Sequence, residues 1–148
     1  MPEPYNAGAG PAPASSSDWG LLFLRVTGSL LLLIVHGLPK VLNYTQELTV
    51  IEDPLHLGRW LTLNLAIFAE VLCPLLIMLG LFTRLACLPI VVLLLVSMLI
   101  AHPEWSLAEG QFGWLLLIIF MTLLITGPGQ FSLSGQLQAR WAHPFWQL

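Results

Sequence analysis

Charge is what this sequence has least of. Five Lys and Arg and eight Asp and Glu make up 9% of its 148 residues, where a soluble domain carries about 25%. So few charges cannot cover a water-exposed surface, and the mean hydropathy is +0.83. Basic runs are missing as well, and the net charge is -3. That removes the electrostatic footprint of a nucleic-acid binder, so nucleic acid is not an expected partner. Cysteine is limited to Cys73 and Cys87, in neither CxxC nor zinc-type spacing. A disulfide framework or thiol redox motif is therefore not expected, and both read as small buried apolar side chains. Residues 1–18 contain no basic n-region and are rich in Pro, Ala, Gly and Ser. They read as a disordered tail rather than a signal peptide.

What the chain does have is long apolar runs. Four are expected as helical spans, at about residues 19–38, 60–83, 85–102 and 112–127. Each is near the roughly 20 residues needed to cross about 30 Å of hydrocarbon, the fourth being the shortest. The run from Leu88 to Ile100 has no polar stripe, which argues for lipid around it rather than water. Trp19, Trp60, Trp105, Trp114 and Trp141 fall near the span ends, where amphipathic rings settle at headgroup depth. The Thr83-Arg84 link forces a helical hairpin, and Gly127, Pro128 and Gly129 stop the fourth helix.

The expected fold class is therefore an all-α membrane protein, a four-transmembrane-helix bundle with antiparallel up-down topology. Residues 128–148, with Trp141, Phe145 and Trp146, would form a C-terminal interfacial tail. Arg25, Arg84 and Arg140 on one side against Lys40 and Arg59 on the other place both termini in the cytoplasm by the positive-inside rule. The loop from about Val41 to Gly58 has room for a short interfacial helix.

Within these runs a few ionisable residues lie where they are costly. Glu70 is near mid-span, where an ionised acid costs about 2.5–3.5 kcal/mol, so it must be protonated, paired or hydrated. Arg25, in the first helix, is within reach of it, and an Arg25–Glu70 intramembrane pair is expected. Arg25 and His36 are eleven residues apart and share a face with Gly28, Ser29 and Leu32, a face that Lys40 continues. Its small residues let a neighbouring helix approach, so the stripe should face the interior. His36, Lys40, His102 and Glu109 then sit at similar heights, as an outer ligand-binding pocket. Paired histidines can bond a quinone oxygen or ligate haem or a metal. No third ligand is fixed by spacing, so no metal site is assigned. Arg84 reads as an interfacial anchor, and Pro74 and Pro89 as helix kinks.

These residues also carry a resemblance. Arg25, the HisGlyLeuProLys run at residues 36–40, PheAlaGluValLeuCysPro around Glu70, LeuGlyLeuPheThrArg ending at Arg84, His102, Glu109 and GlyProGlyGlnPheSerLeuSer at residues 127–134 resemble the DoxX family of small bacterial membrane proteins. The match is made by their order and placement at helix ends. Three positions depart: Cys73 and Pro74 stand where the family often has glycines, and Ser134 where it often has Asp. No role of that terminal acid carries over.

The resemblance implies a four-helix domain in the bacterial inner membrane, named for a subunit of a quinol-oxidising complex. The expected function is that of an accessory, non-catalytic subunit of a quinone-linked or other membrane redox system, with the bilayer and other redox proteins as partners. Two other readings stand beside it: a membrane scaffold or assembly factor, and a small transporter or metal-handling component. No residue is assigned a catalytic role.

Overall fold

The computed structural model describes residues 14–134, and every regular element among them is helical. Helix α1 runs Ser16–Leu42, α2 Tyr44–Val50, α3 Arg59–Leu79, α4 Thr83–Ala101 and α5 Gln111–Thr126. Three of them, α1, α3 and α4, are long and apolar enough to cross a membrane, and α5 is a shorter apolar helix.

Local sequence sets the ends. Ser15 and Asp18 form a reciprocal capping box that starts α1 at Ser16, so the helix begins inside the stretch expected to be tail. Residues 1–13, and the C-terminal residues 135–148 with Trp141, Phe145 and Trp146, lie outside the described residues. Helix α3 ends at Gly80, in the left-handed conformation at φ 72°. There the amides of Gly80 and Leu81 donate back to the carbonyls of Ile77 and Leu76 at 3.0 and 2.9 Å, as a Schellman closure does. Arg59 donates to the carbonyl of Thr49 at 2.6 Å and so ties α3 to the end of α2, the short helix for which the loop has room.

The core lies between α1, α3, α4 and α5, around Leu32, Ile77, Cys87, Ile90, Phe120 and Leu123, with Cys73 beside them. Both cysteines are buried and unbridged. Glycines bring the helices close: a Cβ at Gly28 would lie 2.7 Å from Ile119 on α5, and one at Gly113 2.5 Å from the Met98 sulfur on α4. Arg25 is next to Gly80 whereas Gly37 is next to Glu70, so α1 and α3 run in opposite directions. The outer faces are apolar all round, with Phe23 at 69%, Ile118 at 62% and Ile125 at 70% exposure. Water does not tolerate such a continuous apolar surface on a monomer; lipid does, and the chain is a membrane-embedded helical protein.

Candidate functional site

The site begins with three prolines. Pro39, Pro74 and Pro103 each stand two residues after a π-helical turn: Leu33–Gly37, Phe68–Leu72 and Ser97–Ala101. In each turn the last N–H bonds five residues back, from Leu38 to Leu33, Cys73 to Phe68 and His102 to Ser97. Proline has no N–H, and its ring presses on the carbonyl four residues before it. In α1 and α3, widening the preceding turn relieves that pressure without breaking the helix, so α1 continues past Pro39 instead of stopping at residue 38, whereas α4 ends at Ala101, before Pro103. Wide turns of this kind often occur at functional sites because they re-aim one face of a helix.

Here the three turns face one another. A Cβ on Gly37 would collide with the backbone carbonyl of Glu70, so the first two touch backbone to backbone. Beside them is a cavity of about 360 Å³, bordered by residues of all three. His36, Lys40, Glu70, His102 and Glu109 all line it, among Leu32, Leu94, Phe112 and Leu116. A second cavity of about 270 Å³, next to the 51–54 loop, shares Lys40, Glu70, Leu93, Ser97 and His102 with the first. These five residues therefore border both spaces.

At their centre Lys40 Nζ lies 2.6 Å from Glu70 Oε2. Glu70 is 7% exposed and Arg25 2%, yet the two do not pair. Helix side chains lean toward the N-terminus of their own helix. On the oppositely directed α1 and α3, Arg25 and Glu70 lean apart, while Lys40 and Glu70 lean toward each other. The expected Arg25–Glu70 pair is thus replaced by Lys40–Glu70.

Arg25 does something else. Its Nη1 donates to the carbonyl of Pro128 at 2.6 Å and its Nη2 to that of Phe131. Asp18 accepts from the Gln130 amide at 3.0 Å, Trp19 packs on the Phe131 ring at 4.5 Å, and Ser134 bonds the Gly80 carbonyl at 2.8 Å. Residues 128–134, read from sequence as the start of a tail, are a plug folded under the bundle and held by Arg25. Arg84 lies over Gly127 and donates to the Ile125 carbonyl at 3.4 Å, closing the end of α5.

The remaining candidates differ in how free they are. The His36 ring is 5.5 Å from that of Phe112, and His102 stacks on Trp105 at 3.9 Å with the planes 3° apart. His102 also faces Glu52 at 3.5 Å and Glu104 at 3.8 Å. Glu109 spends its carboxylate on its own turn, accepting from the Ser106 hydroxyl at 2.7 Å and amide at 2.8 Å. Those bonds hold its carboxyl below the usual range. Asp53, which sequence reading passed over, organises the loop at the mouth by accepting from Thr62, Leu57 and Gly58. Its Asp-x-x-x-Leu-Gly spacing before a helix start was the available signal. Among the described residues no three His, Cys, Asp or Glu side chains converge as a metal site.

A lipid-exposed helical chain whose buried Glu and half-buried Lys and His gather around one cavity is a membrane protein with an internal polar site. The DoxX family model matches residues 20–103, more than half of the chain. The protein belongs to the DoxX family. The match takes in Arg25, His36, Lys40, Glu70, Arg84 and His102; Glu109 and residues 127–134 follow it in the chain. No curated protein and no solved structure matches the chain.

Proposed function

We propose that this protein is a four-span, up-down bundle of the bacterial inner membrane with both termini cytoplasmic. In this reading it serves as a non-catalytic accessory subunit of a quinone-linked redox system, and the cavity at the three π turns receives the quinone ring. The observation that carries the reading is the cavity itself, where Lys40, Glu70, His36 and His102 meet inside apolar walls. Its volume of about 360 Å³ is at the small end of ligand sites and suits a ring-sized head. A quinone ring presents two carbonyl acceptors, and the Lys40 ammonium and the two imidazoles supply donors. Helix α5 is the fourth span of this bundle, residues 16–134 form one domain, and the arginine distribution supports the orientation.

The test is mass spectrometry of what co-purifies from native membranes in mild detergent. Quinone, or a redox enzyme, retained by the unmodified protein and lost from His36→Ala is the expected result. Bulk lipid alone, unchanged by that substitution, overturns the reading.

One observation favours a scaffold instead: Glu70 is neutralised within the chain by Lys40, so the pair is complete without a ligand. On that reading Glu70→Gln lowers the amount of folded protein and leaves the turnover of any associated enzyme, per folded molecule, unchanged.

A further inference from the structure

The polar cavities do not end at helix walls. The cavity beside the 51–54 loop shares Pro54, Thr62, Leu93 and Val96 with an apolar groove of about 310 Å³ between α3 and α4. That groove shares Phe68, Pro89 and Val92 with another of about 510 Å³, which continues between the same helices to Phe82 and Leu85. The result is one path that starts at Lys40, Glu70 and His102 and leaves along the outer face of the α3–α4 hairpin.

The two parts of the path differ in chemistry. Among the described residues that line the groove, Thr62 and Cys73 supply the only side-chain heteroatoms, so none of these residues offers a charged partner to a polar head. From Thr62 to Leu76 it follows about 21 Å of α3 at 1.5 Å per residue, a length that an extended hydrocarbon chain fills. A bulk phospholipid keeps its head at the interface, whereas this groove opens into a half-buried site with an ammonium, a carboxylate and an imidazole.

We infer that the α3–α4 groove holds the isoprenoid tail of the quinone whose ring occupies the cavity, so that the protein selects long-chain quinones over the bare ring. The inference rests on the quinone reading above and adds where the tail lies. Pro89 and Val92 form the middle of the tail path and Thr62 and Val96 its neck. The ligand enters sideways from the bilayer, between α3 and α4.

Protein in quinone-free phosphatidylcholine nanodiscs is titrated with a long-chain isoprenoid benzoquinone and with the tailless ring bearing the same ring substituents. Val92 is 58% exposed and Leu65 47%, so a larger side chain at either site fills the groove without entering the core. Val92→Trp and Leu65→Trp should each weaken the long-chain probe at least about tenfold, through lost methylene burial. Binding of the tailless ring should stay within about twofold, and Ile118→Trp, on the lipid face of α5, should change neither.

A long-chain probe with a photoreactive group at its last isoprene should label the unmodified protein in the peptide holding Phe82, Leu85 and Leu88. Ring binding with long-chain affinity intact in both groove variants, or label spread over α1 and α5, overturns this inference alone. Failure of the unmodified protein to bind either probe overturns it together with the reading beneath it.

Discussion

Lys40 reaches down α1 and Glu70 reaches up the oppositely directed α3, and their charged atoms meet 2.6 Å apart over a glycine, Gly37, that has no room for a methyl group. This contact joins the first two π turns and forms the floor shared by both polar cavities.

Breaking the pair from one side leaves an uncompensated charge at a buried position, Glu70 being 7% exposed. Lys40→Met should cost about 3 kcal/mol or more of stability. Lys40→Met combined with Glu70→Met should recover much of that loss, because desolvation of both charges disappears. Reversible unfolding in mixed micelles, read as a double-mutant cycle, checks both signs.

Pro74→Ala gives an unusual sign. In an ordinary helix interior, replacing proline by alanine stabilises by about 3 kcal/mol. Here it removes the clash that keeps Phe68–Leu72 wide, and Glu70 rotates away from Lys40 by about 100° as the regular helix re-forms. The variant should be less stable than the parent and show greater exchange at the Glu70 amide by hydrogen–deuterium exchange.

Arg25 holds the plug at residues 128–134 through two carbonyls. Arg25→Ala removes two charge-assisted bonds, of order 3 kcal/mol together. The expected result is faster exchange and proteolysis confined to residues 127–134, with the Lys40–Glu70 end unchanged. Arg25→Lys should restore only part of the protection, since a point ammonium lacks the planar fork that spans both acceptors.

Asp53 makes the mouth of the site sensitive to acid. The Thr62 hydroxyl, followed by the Gly58 and Leu57 amides and His56, holds its carboxyl below the ordinary 3.8. A depressed folded value means that the stabilisation is complete above the ordinary value and is lost as pH falls through the folded one. The difference in melting temperature between the protein and Asp53→Asn should be constant above about pH 5 and shrink only in more acid solution.

Much of this was legible in the sequence, for physical reasons that can be named. All-round apolarity from Leu88 to Ile100 marks a lipid-facing helix, and the spacing of Arg25, Gly28, Ser29, Leu32 and His36 marks the face of α1 that turns inward. Partner choice was not legible, because spacing gives the face of a helix but not the lean of its side chains. Depth alone put Glu70 near Arg25, and the opposite lean of α1 and α3 gave it to Lys40. The π turns were hidden in another way. An apolar pattern all round a helix carries no phase, so an extra residue in a turn leaves no trace except the proline that follows it. Pro74 was read as a kink, and the matching positions of Pro39 and Pro103 take on meaning only beside it. Residues 128–134 look like a polar tail because their partners, Asp18, Arg25 and Gly80, are far away in the chain.

The central claim is that the cavity between the three π turns binds a quinone ring. It is tested most directly by titrating the purified protein in quinone-free nanodiscs with the tailless benzoquinone ring and following intrinsic fluorescence, since Trp105 lines the cavity and stacks on His102. The account predicts saturable quenching that weakens at least about tenfold in His36→Ala combined with His102→Ala, as two donor bonds of about 1 kcal/mol each are lost. Non-saturable quenching, or the same saturation curve in the double variant, would contradict it.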